Sequence, residues 1–459
     1  MTSLNFLSQD TIVALATAQG PGAIAVIRLS GPEAISITNK VFRGKNLEQQ
    51  ASHTLHFGTI RDCERLIDEV LVSLFVAPHS YTKENVVEIS CHGSEYIVAE
   101  IIKILLREGA RLAEAGEFTK RAFLNGQMDL AQAEAVADLI SSNSRISHEV
   151  AMKQMRGGFS AEIKNLRAQL VHFASMIELE LDFAEEDVEF ADRTALRNLI
   201  HEIQKLLRHL LQSFELGNVL KNGVPTVIVG KPNAGKSTLL NVLLNEEKAI
   251  VSDIPGTTRD FIEDEVSIEG IRFRFIDTAG LRETEDKVEA LGVERTRQKV
   301  EEAALVLYLF DVNTTSPEEL KAEVEDLKTA GKPVLLVANK LDAAADKLID
   351  FGSFENLIGI SASRHQNIPE LKKAILSQVK TAGLQDRSQT IVTNLRHVAS
   401  LEKTYAALDD VLNGIALGIS SELVASDIRR SLHALGEITG EITTDDLLEN
   451  IFSKFCIGK

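Results

Sequence analysis

The sequence predicts a protein of mixed α/β and all-α class: an α/β domain opens the chain, and a second α/β domain, with a phosphate-binding loop, is inserted into a discontinuous helical domain. Three observations carry the prediction. Short apolar runs broken by turn residues fill residues 11–120. Helix-period patterning almost free of Gly and Pro fills about 127–220 and returns over 390–455. Between these, from Gly223-Val224-Pro225 to near residue 380, short apolar strands alternate with helical patterns, as expected of βαβ units around a parallel sheet. At 459 residues the chain has length for about three domains of roughly 150 residues. The expected division is 1–122, 123–220, 221–380 and 381–459, the second and last segments forming the split helical domain.

Within the first domain, Ala23–Leu29, Val70–Val76 and Val86–Ile89 read as strands, and 95–108 reads as a helix. Gly157-Gly158 interrupts the long helical stretch that follows, and the acidic run Glu185-Glu186-Asp187 suits a solvated face. In the inserted domain strands are expected at Thr226–Val229, Phe273–Ile276, Val334–Ala338 and Leu357–Ile360. Helices are expected after it over Leu401–Leu412, Ser420–Leu435 and Thr443–Phe452.

Composition narrows the class. An apolar share of 44% with 25% charged residues is ordinary for a globular protein, and 5% aromatic with no Trp points to aliphatic cores. The net charge of −18 argues against a broad basic face gripping nucleic acid, since phosphate binding needs clustered Lys and Arg. Cys63, Cys91 and Cys456 are far apart and form no CxxC pair, which fits a reducing compartment, the cytoplasm, and neither a disulfide framework nor a zinc site. Cys91-His92 has no partner at metal-ligand spacing. Met1-Thr2-Ser3-Leu4-Asn5-Phe6 lacks a signal-peptide pattern, and no run approaches the roughly 20 apolar residues of a spanning helix.

The chemistry concentrates in the inserted domain. The strand Thr226–Val229 runs into Gly230-Lys231-Pro232-Asn233-Ala234-Gly235-Lys236-Ser237, a G-x-x-x-x-G-K-[ST] loop that opens a helix at Thr238. Its glycines let backbone N–H groups, including those of Asn233, Ala234 and Gly235, curl around phosphate oxygens at a helix N-terminus; Lys236 reaches the β- and γ-phosphates and the Ser237 hydroxyl binds Mg²⁺. Asp277-Thr278-Ala279-Gly280 follows a strand, so Asp277 can hold Mg²⁺ through water and the Gly280 N–H can sense a γ-phosphate. Asn339-Lys340-Leu341-Asp342 follows another strand. Asp342 can accept two hydrogen bonds from guanine N1–H and its amino group, which adenine lacks, and a site built for that pair rejects adenine. Asn339 and the Lys340 stem would brace the base, and Ser361-Ala362-Ser363 can supply a backbone donor to the guanine oxygen. Ser252-Asp253-Ile254-Pro255-Gly256-Thr257-Thr258 reads as a switch loop between the first two motifs, with Thr258 as second Mg²⁺ ligand. Leu281 and Arg282 stand where a water-orienting Gln is found in Ras-type enzymes, so hydrolysis must recruit another group, such as a bound monovalent cation.

With these motifs in place, the chain resembles the MnmE (TrmE) family of tRNA modification GTPases over essentially its whole length. The resemblance also rests on Asp10-Thr11-Ile12-Val13-Ala14, Ile27-Arg28-Leu29-Ser30-Gly31, Gly116-Glu117-Phe118, the run from Asn125-Gly126-Gln127 through Glu134-Ala135, and Phe455-Cys456-Ile457-Gly458-Lys459. It implies an N-terminal domain similar to folate-binding domains, a Ras-like GTPase domain, and a homodimer that works with an FAD-dependent partner, MnmG. Together they would install an aminomethyl-type group on carbon 5 of the tRNA wobble uridine, from a formyl- or methylene-tetrahydrofolate. By position in the family pattern, Arg28, Glu88, Gln127 and Lys459 would contact folate, Gln127 standing where some relatives have Lys. Potassium would be held by Asn233, Ser252, Ile254 and Thr257, G domains would dimerise across that site, and Glu289 would position the attacking water.

Other readings stand beside these. Without the family, Arg28 at a strand end reads more readily as a surface or salt-bridged residue than as a ligand contact, and Glu88 likewise. Cys456 formally fits a prenylation box, but Gly458 and Lys459 suit its last positions poorly, and the resemblance implies a functional cysteine near the folate site. The competing function is a regulatory or assembly G protein without one-carbon chemistry.

Overall fold

The computed structural model describes residues 10–182, 193–245, 264–276, 300–328, 331–343, 345–380 and 390–458. The chain packs as two compact units: Met1–Ile140 with Lys153–Phe183 and Ala425–Lys459, and Ser141–Met152 with Ala184–Val424.

The first unit is built on a seven-stranded sheet of β1 (Ile12–Leu15), β2 (Gly22–Ser30), β3 (Phe42–Arg43), β4 (Thr54–Asp62), β5 (Arg65–Phe75), β6 (Val86–Gly93) and β7 (Arg111–Leu112), in the order β3-β4-β5-β6-β2-β1-β7. Alternation decides its faces. Along β5, Asp68, Val70, Val72 and Leu74 turn inward, and with Ile27, Leu29, Val87 and Ile89 the aliphatic residues pack on Ile37 and on Ile101, Ile104 and Leu105 of the helices Ala34–Val41 and Glu95–Arg107. The opposite face leaves Ile24, Leu55, Phe57 and Leu71 between 40% and 67% exposed.

The helix Glu117–Leu124 and the helix Asp445–Phe452 share a small core of Phe123, Leu130, Leu448 and Phe452. From there the C-terminal residues return to the sheet: Ala115 and Ile457 form an isolated bridge, and a Cβ on Gly458 would lie 2.2 Å from Leu15 O. No L side chain fits that approach.

A charge cluster centred on the buried Arg121 and Glu117 locks this corner. Arg121, 3% exposed, meets Asp10 Oδ1 at 2.6 Å, Glu117 Oε1 at 3.0 Å and Glu84 Oε1 at 3.3 Å; Arg111 meets Glu117 Oε1 at 2.6 Å and Asp10 Oδ2 at 2.7 Å. Burial alone would raise the carboxyls of Glu117 and Asp10, but hydrogen bonds from Arg111 and Arg121 hold both below their ordinary range.

The second unit carries a six-stranded sheet of β8 (Val224–Val229), β9 (Asp264–Ile268), β10 (Ile271–Phe275), β11 (Leu305–Asp311), β12 (Val334–Asn339) and β13 (Leu357–Gly359), in the order β13-β12-β11-β8-β10-β9. Only β9 runs antiparallel. Both faces are covered: Phe273, Leu307, Leu309 and Val337 lie in one core, and Val229, Phe310, Leu336 and Leu320 in the other. Continuous apolar runs such as Leu305–Phe310 are what a doubly covered parallel sheet needs.

Two long helices flank this sheet in sequence, Arg193–Asn222 before it and Leu395–Leu417 after it. Arg193 bonds Ser421, Gln204 bonds Asp409, Arg208 bonds Tyr405 and Lys221 bonds Asn394, so the helices run antiparallel. The α/β sheet is thus inserted between paired helices. Among the described residues no helix is long and apolar enough to cross a membrane.

Arg121→Ala leaves Glu117 buried with half of its pairing and should cost about 3–5 kcal/mol, read as a lower urea midpoint by circular dichroism. Because the carboxyls of Asp10 and Glu117 are depressed in the folded state, their contribution is complete above their unfolded pKa values and lost as pH falls through the folded ones. The deficit of the variant relative to the parent should therefore shrink below about pH 4.

Candidate functional site

The strand order of the second unit's sheet reverses at β8, with the parallel strands β10 on one side of it and β11 on the other. Ligands of open α/β sheets bind in the crevice beyond the carboxyl ends of the strands at such a switch point. The loops gathered there are those after β8, β11 and β12, and the segment after β13.

The loop after β8 is shaped by glycine. Gly230 has φ +147° and a Cβ there would meet Leu309 O at 1.9 Å; Gly235 has φ +99° and a Cβ there would meet Asn339 Nδ2 at 2.4 Å. Asn233 also takes a left-handed φ of 61°. The helix begins at Lys236, two residues before the expected Thr238, so Lys236 sits in its first turn with Ser237 and Thr238 exposed beside it. Lys236 Nζ donates to Gly230 O at 2.8 Å and Lys231 O at 2.9 Å, and burial pushes its ammonium pKa down.

Asn339 joins the loops. Its side chain, in a residue 3% exposed, donates through Nδ2 to Ala234 O at 2.8 Å and accepts at Oδ1 from the Ala362 N–H at 3.0 Å. The Ala362 N–H expected to serve a base oxygen must share that donor with Asn339. Asp342 stands exposed in the same crevice, with Oδ1 accepting from the buried Ser361 hydroxyl at 2.5 Å, while Ser363 Oγ lies 3.3 Å from Ser361 Oγ. Lys340, at φ 67°, pairs with Asp311 Oδ2 at 2.8 Å. A phosphate-cradling loop after β8 thus meets, from the loop after β12, a carboxylate fixed in direction and a cationic stem. Of the residues singled out in sequence, Ser252, Asp253, Ile254, Pro255, Gly256, Thr257, Thr258, Asp277, Thr278, Ala279, Gly280 and Glu289 lie outside the described residues.

A second constellation lies in the first unit. Arg28 Nε and Nη2 both donate to Glu88 Oε1, at 2.8 and 2.7 Å, across the β2–β6 register, and Nη1 reaches Gly458 O at 3.5 Å. The rings of Tyr81 and Phe118 each lie 5.8 Å from the guanidinium carbon. Tyr81 itself bonds Thr119 Oγ1 at 2.9 Å, and burial pushes its hydroxyl pKa up. Cys456 is exposed, its carbonyl accepting from the Gly116 N–H. Gln127 is exposed after the helix Glu117–Leu124, with its backbone N–H on Ala122 O and no hydrogen bond to Arg28 or Glu88 among the described residues; Lys459 lies outside them. Sequence reasoning missed Tyr81, Phe118 and Gly458 around Arg28, because no periodicity brings them together, and missed Asp311. The position of Asp311 at the end of a strand beside β8 was the available signal.

The fold and its loops define a P-loop GTPase carrying an additional α/β domain and a helical domain. Residues 130–456 match the family model described as the MnmE helical domain, and residues 11–127 match that of the GTP-binding protein TrmE N-terminus. A tRNA modification GTPase MnmE of Cytophaga hutchinsonii is 62% identical over 451 residues, covering 98% of each chain. That of Christiangramia forsetii is 55% identical over 471 residues, covering 98% of this chain and 99% of its own. The chain belongs to the MnmE family of tRNA modification GTPases.

Gly235→Ala forces a strained φ and displaces the Asn339 amide. It should lower affinity for a fluorescent GDP analogue about tenfold or more while the thermal transition stays within a few degrees, since such strain is of order 1–3 kcal/mol. Unchanged affinity would show that the Asn339–Ala234 bond is dispensable.

Proposed function

We propose that this chain hydrolyses GTP and, with an FAD-dependent MnmG-like partner, uses a tetrahydrofolate one-carbon unit to add an aminomethyl-type group to carbon 5 of the wobble uridine of tRNA. The observation that carries the nucleotide half is Asn339 holding the phosphate loop, the base loop and Ala362 in one hydrogen-bonded frame. In that frame Asp342, oriented by Ser361, receives guanine N1–H and the amino group. The backbone from Asn233 to Ser237 wraps the phosphates, and Lys236 exchanges its two loop carbonyls for phosphate oxygens. Ser237 and Thr258, with Asp277 through water, would hold Mg²⁺, which offsets charge on the β- and γ-oxygens. Asn233, Ser252, Ile254 and Thr257 would hold K⁺, which supplies the charge an arginine finger gives elsewhere. Glu289 positions the attacking water in place of the missing Gln.

For the one-carbon half, Arg28 and Glu88, with Gly458 drawn to them, support a folate site in 1–122; Lys459, Gln127 and the functional cysteine Cys456 are added to it by the family pattern alone. The helical domain is assigned to 123–220 and 381–459 and the GTPase domain to 221–380. The apolar face of the seven-stranded sheet, carrying Phe57, Leu55 and Ile24, supports pairing with a second copy. Free cysteines and the absence of a membrane-spanning helix among the described residues fit a cytoplasmic location. With a net charge of −18, the tRNA is held largely through the partner.

Steady-state GTP hydrolysis should be strongly faster in potassium than in sodium chloride at equal ionic strength, with ATP inert. Equal rates would remove the cation site and favour a regulatory G protein without one-carbon chemistry. Asp342→Asn should weaken GTP by about a hundredfold and admit xanthosine triphosphate, because the carboxylate's paired acceptors are replaced by an acceptor and a donor. Retained GTP preference would contradict the base assignment. Reduced folate should bind the unaltered chain and be lost on Arg28→Ala; no binding by the unaltered chain would sink the one-carbon half.

A further inference from the structure

The segment that follows β11 makes an Asx turn against the base loop. Asp311 Oδ1 accepts from the Asn313 N–H at 2.9 Å and from Asn313 Nδ2 at 3.0 Å, while Asp311 Oδ2 faces Lys340 Nζ at 2.8 Å. Asn313 Nδ2 also reaches Lys340 O at 3.4 Å, and the Val312 N–H donates to Asn339 O at 3.2 Å. Lys347 Nζ donates to Asn313 O at 3.1 Å, closing the arrangement from the other side. Both ends of Lys340 are therefore fixed by residues of one turn: its backbone carbonyl by Asn313 and its ammonium by Asp311.

That fixation has work to do. Lys340 occupies a left-handed φ of 67°, a conformation a non-glycine residue keeps only when its surroundings determine it. Its side chain is 40% exposed, whereas that of Asp311 is 14% exposed, so the carboxylate is the anchored member of the pair. Burial would raise the Asp311 carboxyl, but the Lys340 ammonium and the Asn313 donors outweigh it and hold the group ionised.

We propose that Asp311 is a positioning residue for the guanine site: through its ion pair it lays the Lys340 stem along the base-binding crevice, and so sets how long a guanine nucleotide stays bound without taking part in hydrolysis. The inference rests on the reading that the crevice receives guanine. Asp311 touches neither base nor phosphate in this scheme; it acts through Lys340, with Asn313 as its support. A rim ion pair of the same domain gives the contrast. Lys231 in the phosphate loop pairs with Glu319 and Glu323, both at 3.2 Å, but Lys231 and Glu319 are 47% and 56% exposed, so little depends on that contact.

The test uses the full chain and a fluorescent GDP analogue for dissociation, with GTP hydrolysis measured alongside. Asp311→Asn keeps an oxygen for the Asn313 turn and removes the charge facing Lys340. It should raise the GDP off-rate and the KM for GTP about tenfold and leave kcat unchanged. Asn313→Ala should shift both in the same direction by less, and Glu319→Gln should shift neither. In a Lys340→Ala background Asp311→Asn should add nothing, since the two act as one unit. An equal effect of Asp311→Asn in that background, a fall in kcat, or an unchanged off-rate would overturn the proposal. If the unaltered chain does not bind the GDP analogue, the guanine reading itself fails; binding by the unaltered chain with no effect of Asp311→Asn isolates the failure to Asp311.

Discussion

One buried carboxamide sets the geometry of the nucleotide loops. Asn339 lies at the carboxyl end of β12, and its amide has both ends engaged, by Ala234 O and the Ala362 N–H. A carboxamide taken out of water without partners is costly, so these two bonds are obligatory once Asn339 is buried. Three loops distant in sequence then have one mutual arrangement. The sheet makes this possible: β11 and β12 pair in a register that sets Asp311 beside Asn339, and β12 and β13 in one that sets Ala338 beside Gly359. A slip of one residue in either pairing would turn Asn339 to the other face and separate the loops. Gly235 completes the requirement, since the Asn339 amide occupies the space a Cβ would need.

This explains why the nucleotide half was legible in the sequence. The phosphate loop and the base loop end β8 and β12, whose apolar runs are nearly continuous because both faces of the sheet are covered, so strand and loop identify each other. The first unit was less legible for a matching reason. The strand β4 was missed because Leu55 and Phe57 face outward while His56 and Gly58 face inward, the inverse of the usual alternation. The strand β6 was read only as far as Ile89, although it continues to Gly93, because Ser90 and His92 interrupt the apolar run while Cys91 stays buried. The helix Glu117–Leu124 was not expected at all. Its Glu117 and Arg121 are charged yet buried, which is possible only because Arg111, Asp10 and Glu84 arrive from elsewhere in the chain to complete their pairing.

The same contrast separates how the two units hold their corners. In the second unit the loops are joined by amide hydrogen bonds, by glycines that admit close backbone approach and by the single Asp311–Lys340 ion pair. In the first, a network of two arginines and three carboxylates does the joining. Such networks are satisfied only as a whole, because removing one member strands the others away from water. The C-terminal residues depend on that corner, since Gly116, next to Glu117, donates its N–H to Cys456 O and leaves no room for a side chain against Phe452 and Phe455.

The Arg28–Glu88 pair shows how several contacts from distant parts of the chain orient one side chain. A strand-end arginine reads either as a salt-bridged residue or as a ligand contact, and the pair is indeed an ion pair. Yet two of the three guanidinium nitrogens, Nε and Nη2, converge on Glu88 Oε1, and Oε2 takes no hydrogen bond among the described residues. With side chains 22% and 26% exposed, the pair contributes little to stability by itself. Stability alone does not require two aromatic rings and a C-terminal carbonyl around one guanidinium. Those contacts, with the bonds from Nε and Nη2 to Glu88 Oε1, fix the plane of the Arg28 guanidinium. The ion pair contributes orientation rather than stability: it sets one side of the guanidinium plane, and the rings and the Gly458 carbonyl set the other.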